Sequence, residues 1–175
     1  MKKNLIVIQE DSKDCGAACL LSIIKYYKGN YPFNKLVELT QTTKKGTTFY
    51  NIKLAAQEIG LSSQAYYSQK VNELEKIQKP ILCQLNKSIG THFVVVYKIS
   101  PKSLTIMDPS VGKRLIEKSE FFSQWTGYIM IFEPYKQLPC LKNTNYLNKI
   151  IIETIKKNKV FVINIIFLSI LFTIL

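Results

Sequence analysis

At 175 residues, with 47% hydrophobic and 21% charged residues, the chain is long enough for one cored domain and some additional length. Its formal net charge of +12 comes from scattered lysines rather than a dense Lys/Arg stripe interleaved with aromatics, so no nucleic-acid partner is expected. Such a charge suits a solvated basic surface, a position beside a membrane or an acidic peptide partner.

The N-terminal run "MKKNLIVIQED" has too short an apolar stretch for a signal peptide, so the four cysteines, Cys15, Cys19, Cys83 and Cys140, are expected as thiols. One histidine and no C-x-x-C pair argue against zinc. A first helix is expected over 15–27, where Leu20, Leu21, Ile23, Ile24 and Tyr27 recur at helical spacing. Asp11, Ser12 or Asp14 can cap it. A second helix is expected over 34–41. A third covers 48–59, with Thr47 or Thr48 as cap and Gly60 as terminator. Strand-like runs follow: "SQAYYS", "PILCQLN", "HFVVVYKI", "SLTIMD", "KRLIE" and "GYIMIF". Helices first and antiparallel strands later make an α+β domain, N-terminal helices on a C-terminal sheet.

Prolines near "FEPYKQLPCLKNTNY" place a boundary at about residue 135, followed by a basic connector over 136–159. Residues 160–175, "VFVINIIFLSILFTIL", are apolar almost throughout, and read as the start of a transmembrane helix that needs roughly 20 such residues. Lys149, Lys156, Lys157 and Lys159 precede it with Glu153 the only acid, which places residues 1–159 on the cytoplasmic side of the cell membrane.

Cys15 falls in the first turn of the first helix, where free N–H groups and the helix dipole favour a thiolate. Gly16 and Ala17 would leave room for a substrate backbone. A small buried core residue is the other reading of Cys15, and the expected one for Cys19. A cysteine nucleophile works with a histidine, and His92 is the single candidate. The turn at Ser100-Pro101-Lys102 joins 91–99 and 103–108 in a hairpin. If Val96 pairs with Leu104 and Val94 with Ile106, His92 faces Asp108 directly, and these four apolar residues form a dry wall for the site. Asp108 before a proline can equally be a turn residue. Oxyanion donors are also required, and the Cys15 N–H and the side-chain amide of Gln9 are the candidates.

The stretches "QEDSKDCGAACLLSIIKYY", "GTHFVVVY" and "IMDPSVG" together resemble the N-terminal papain-like cysteine peptidase domain of bacterial peptidase-containing ABC exporters, which process and secrete bacteriocins and lantibiotics. The likeness covers residues 1 to about 135. It implies Cys15 as nucleophile, His92 as general base, Asp108 as orienting carboxylate and Gln9 as oxyanion donor. It further implies cleavage of a precursor peptide after a double-glycine leader, with the leader's helix docked in an apolar groove. Phe49, Tyr50, Tyr66 and Tyr67 are candidates to line that groove, or to pack in the core.

No G-x-x-x-x-G-K-[ST] loop occurs in these residues, and the peptidase domain needs no cofactor. ATP is expected only in a nucleotide-binding domain beyond residue 175, in a transporter that is homodimeric when whole. Three other readings stand beside this one: an idle leader-docking domain, a membrane-anchored redox or metal-binding domain using Cys15 and Cys19, and a papain-like hydrolase acting on a different amide.

Overall fold

Helix α1 (Cys15–Tyr26) is apolar on nearly every side, and Ala17, Ala18, Cys19, Leu20, Ile23 and Ile24 are essentially without solvent exposure. A helix of that character must be surrounded, and in the computed structural model it is. The structure describes residues 2–68, 70–88, 90–141, 154–160, 163, 164 and 169. Helices α2 (Phe33–Leu39) and α3 (Phe49–Ile59) flank α1, and the strands β1 (Leu61–Tyr67), β2 (Ile81–Lys87), β3 (Gly90–Ile99), β4 (Ser103–Asp108), β5 (Gly112–Glu117) and β6 (Trp125–Pro134) form one sheet. Its order is β1-β6-β2-β3-β4-β5, antiparallel at every junction.

The α+β expectation therefore holds, with two helices the sequence did not announce: α4 (Val71–Glu75) and α5 (Lys118–Gln124). They explain why the sheet is apolar on both faces. On one side Leu82, Phe93, Val95, Met107 and Met130 pack with α1 to α3. On the other, Cys83, Val94, Val96, Leu104, Ile106 and Ile129 pack with Leu74 of α4 and Phe121 of α5. Alternation along each strand produces these two cores, and each fully buried Leu or Ile contributes about 1.5–3 kcal/mol.

Local chemistry sets the helix ends. Thr48 accepts a hydrogen bond from the Asn51 N–H (3.2 Å) at the start of α3, and Gly60, at φ 114°, ends it in the left-handed region that favours glycine. The start of α1 differs from expectation: the Asp14 carboxylate makes no bond to the helix and accepts the Asp11 N–H instead (3.0 Å). Ser22, in mid-helix, donates to the Leu5 carbonyl (2.5 Å) and lies 2.6 Å from the Tyr97 hydroxyl, tying α1 to a 3-10 turn at Lys3–Leu5 and to β3.

The β3–β4 pairing also differs. Val96 lies opposite Ile106, not Leu104, and the register shifts between Val96 and Lys98. Val94, Val96, Leu104 and Ile106 do share one face, and that face is packed against α4 and α5 rather than left as an open wall.

The chain divides into two units, Met1–Lys142 and Asn143–Leu175. The first extends past Pro134 because Leu138 is buried in the core, while Asn30 N–H donates to the Pro139 carbonyl (2.9 Å) and Leu141 N–H to that of Asn30 (2.9 Å). In the second, residues 154–157 and 159–160 are helical, with Asn158 N–H donating to the Thr154 carbonyl (3.0 Å). Most of the apolar segment 160–175 lies outside the described residues, and among the described residues no helix is long and apolar enough to cross a membrane.

Candidate active site

Cys15 is the first residue of α1 and is buried. The first α-helical bond nearby runs from the Ala18 N–H to the Asp14 carbonyl (2.9 Å), so the amides of Cys15, Gly16 and Ala17 precede the helical ladder. Burial pushes the Cys15 thiol up. The hydrogen bond with His92, the backbone amides of Phe93 and Gly16 and the charge on the imidazole outweigh it, and the thiol ends below its ordinary value.

His92 lies on β3, and its Nε2 is 2.8 Å from Asp108 Oδ1. With Nε2 so occupied, Nδ1 is the nitrogen left for Cys15. Burial pulls the imidazole pKa down, but the bonds and charges of Asp108 and Cys15 raise it above the ordinary histidine value.

Asp108 ends β4 with its side chain 1% exposed. Burial pushes its carboxyl up, yet four donors hold it far below the carboxylate range: His92, the Ser110 hydroxyl (2.7 Å), the Ser110 N–H (3.0 Å) and Lys87 (3.0 Å). The Ser110 N–H bond closes an Asx turn through Pro109, so Asp108 is a turn residue and the partner of His92 at once.

The two do not stand directly opposite. Val95 pairs with Met107, which puts Asp108 across from Val94, and His92 reaches it diagonally from two residues along the same strand face. Gln9 is anchored beside this turn by its own N–H, which donates to the Pro109 carbonyl (3.0 Å); its side-chain Oε1 is buried and has no hydrogen-bond partner among the described residues.

Gly16 does not open space for a substrate. A Cβ there would stand 2.3 Å from Thr47 Cγ2 and 3.1 Å from Ile52 Cδ1, so the missing side chain makes room for the protein itself. Cys19 is fully buried, and burial drives its thiol well above the ordinary value, which suits a core residue and not a redox partner of Cys15.

Residues 3–137 match the Peptidase C39 family. The chain belongs to the peptidase C39 family. Two curated relatives are each 32% identical: the lactococcin-G-processing and transport ATP-binding protein of Lactococcus lactis, over 93% of this chain and 23% of that one, and the pediocin PA-1 transport/processing ATP-binding protein of Pediococcus acidilactici, over 79% and 20%. This chain thus spans between a fifth and a quarter of those relatives' length. Among solved structures it resembles a double-glycine-motif protease from an AMS/PCAT transporter, in complex with the leader peptide (29% identity, TM-score 0.69, 74% of this chain and 90% of that one). It also resembles the peptidase domain of Streptococcus ComA, a bifunctional ABC transporter (33% identity, TM-score 0.68, 74% and 97%). The papain-like C39 fold is common to all three.

On the face of this C39 domain that carries α1, aromatic rings extend outward from the site. Phe93, next to His92, meets Phe49 edge-on at 5.0 Å; Phe49 lies 6.4 Å from Tyr128, and Tyr128 lies 5.0 Å from Tyr67. Tyr67 and Tyr128 pair across β1 and β6 and are 57% and 50% exposed. Tyr66 pairs with Ile129 and points to the opposite face, so it does not join this surface. Tyr128, Ser110 and Lys87 escaped sequence reasoning. Ser110 was findable from "DPS", an Asx-turn spacing, whereas Tyr128 and Lys87 required the register of β6 and β2.

Proposed function

We propose that this chain is a cysteine endopeptidase that removes the leader of a bacteriocin- or lantibiotic-type precursor by cutting after a double glycine, coupled to export by an ABC transporter. The observation that carries this reading is the buried, hydrogen-bonded run from Cys15 through His92 to Asp108.

The Cys15 thiolate attacks the carbonyl of the second glycine, forming a C–S bond, and the negative charge passes to the carbonyl oxygen. The Cys15 N–H and the Gln9 amide nitrogen donate to that oxygen. Collapse of the intermediate breaks the C–N bond, His92 Nδ1 gives its proton to the departing amine, and a thioester remains. Water, losing a proton to His92, then attacks the thioester and frees the leader and the thiolate. Asp108 stays ionised and holds the imidazole by Nε2. The leader's helix lays its apolar face on the surface of Phe49, Tyr67 and Tyr128, and only glycine fits the narrow approach to Cys15.

In this reading residues 160–175 begin a membrane helix, residues 1–159 lie on the cytoplasmic side, and ATP acts in another domain of a homodimeric transporter. A synthetic precursor peptide with a Gly-Gly junction tests the chemistry. The wild-type chain should cleave it after the second glycine, and Cys15→Ala should not. Unchanged cleavage by Cys15→Ala would overturn the assignment.

A further inference from the structure

Asp108 has two oxygens, and they are held differently. Oδ1 takes His92 Nε2 (2.8 Å) and both donors of Ser110. Oδ2 takes the ammonium of Lys87 at 3.0 Å, from the last residue of β2, where the β2–β3 hairpin turns. That lysine side chain is 31% exposed while its partner is 1% exposed. A bond to a carboxylate so deeply buried is screened far less than a surface pair. Arg114 of β5 also approaches Oδ2, but at 3.9 Å, and its other nitrogen is engaged by Glu120 of α5 at 3.2 Å. Lys87 is thus the cation that directly bonds the carboxylate on the side away from the imidazole.

We infer that Lys87 is a positioning residue of this site: by bonding Oδ2 it fixes the carboxylate plane so that Oδ1 meets His92, and its charge limits how strongly Asp108 stabilises the imidazolium. This rests on the peptidase reading for its catalytic consequence, but not for its geometry.

Without the ammonium, Asp108 would present its full charge to His92, and one cation near the imidazole would be gone. Both effects favour protonated His92. The other charged groups around Asp108 remain: Arg114 from β5, Glu120 of α5 behind it, and Cys15 of α1 beyond His92. Losing Lys87 should therefore raise the histidine pKa while loosening the geometry that makes the proton useful.

Because His92 is the only histidine in the chain, its titration can be read by NMR without assignment and without substrate. In the untagged full chain carrying Cys15→Ala, adding Lys87→Met should raise the His92 midpoint by about one pH unit, Lys87→Arg should return it toward the parent, and Lys113→Met on exposed β5 should leave it in place. With Cys15 present, Lys87→Met should lower kcat/KM on the Gly-Gly peptide by about tenfold and move the alkaline limb upward, again with rescue by arginine. An unmoved His92 midpoint in Lys87→Met overturns the inference. A moved midpoint in a chain that never cleaves the peptide would instead overturn the peptidase reading and leave the role of Lys87 intact. Should Lys87→Met fail to fold, the midpoint in the folded Lys87→Arg chain decides: a value displaced from the parent by as much as a unit would count against simple charge replacement and overturn the inference.

Discussion

Cys15 and Phe93 are coupled through the backbone: the amide of Phe93 lowers the pKa of the Cys15 thiol, and the neighbouring residue, His92, lowers it further with its ring. Two consecutive residues of β3 thus hold one thiolate, one by the main chain and one by the side chain. The main-chain contact cannot be removed by substituting a side chain, so part of the thiol's acidity belongs to the fold and part to His92.

That division sets a pH expectation. The Cys15 thiol lies below its ordinary value, so alkylation by iodoacetamide should reach half its maximal rate below about pH 8.5, the midpoint of a free thiol. In His92→Ala the midpoint should rise but remain finite, because the Phe93 and Gly16 amides persist. The measurement belongs in a Cys140→Ser background, since Cys140 is the exposed cysteine. A midpoint unaffected by loss of His92 would contradict the coupling.

Cleavage should follow a bell-shaped pH profile. Activity rises with pH as Cys15 loses its proton and falls as pH rises through the value of His92, which must be protonated to release the amine. Since His92 titrates above the ordinary histidine value, the alkaline limb of kcat/KM should lie above about pH 6.5.

Asp108→Asn should reduce kcat/KM by about tenfold or more, because the neutral amide still accepts from His92 Nε2 but no longer supplies the charge that keeps the imidazole protonated. Asp108 also links stability to pH. Its folded-state pKa is depressed, so its contribution is complete above the unfolded value of about 3.9 and is lost as pH falls towards the folded value. Thermal unfolding between about pH 5 and pH 2 should therefore show a steeper acid loss for wild type than for Asp108→Asn.

Gly16→Ala should destabilise the domain by about 1–3 kcal/mol, since the added methyl collides with Thr47 and must displace it. Thr47→Ser removes Cγ2 and keeps the hydroxyl that donates to the Thr40 carbonyl (2.5 Å), so the double variant should regain most of the lost Tm. Additive losses in the pair would show that the clash lies elsewhere.

Tyr128→Ala should raise KM for a leader-bearing peptide about fivefold, in keeping with about 1 kcal/mol for an aromatic contact, with kcat little changed. Tyr66→Ala, on the opposite sheet face, should change neither.

Much of this architecture was legible because period and punctuation agree with it. The run "CGAACLLSIIKY" is helical and apolar all round, Thr48 and Gly60 bound α3, and β4 is bounded by Ser103 and Asp108 as its apolar run suggested. Cys15, His92 and Asp108 could be brought together because the chain has one histidine and a hairpin with a clear turn. What escaped depends on tertiary context. The five residues of α4 and seven of α5 are too short to display a helical period, yet they pack over the central strands of one sheet face. Lys87 resembles any exposed lysine until β2 lies beside β3.

The irregularity in β3 governs whether the site can exist. From the hairpin turn, Ile99 faces Leu104 and Lys98 faces Thr105; continued at that pace, Asp108 would come opposite Val95, on the odd-numbered side of the strand with Phe93. One additional residue, Tyr97, is taken up before Val96 meets Ile106, and the count changes parity, so that Asp108 falls in step with Val94 and His92. Tyr97 is pinned there by its hydroxyl, which donates to the Ser22 carbonyl (3.1 Å). The strand therefore works as a vernier with a single extra graduation. Drawing Tyr97 into the ladder opposite Ile106 would turn the carboxylate away from the imidazole without touching either residue, whereas a chain lacking Tyr97 would keep Val96 opposite Ile106 and the two in phase.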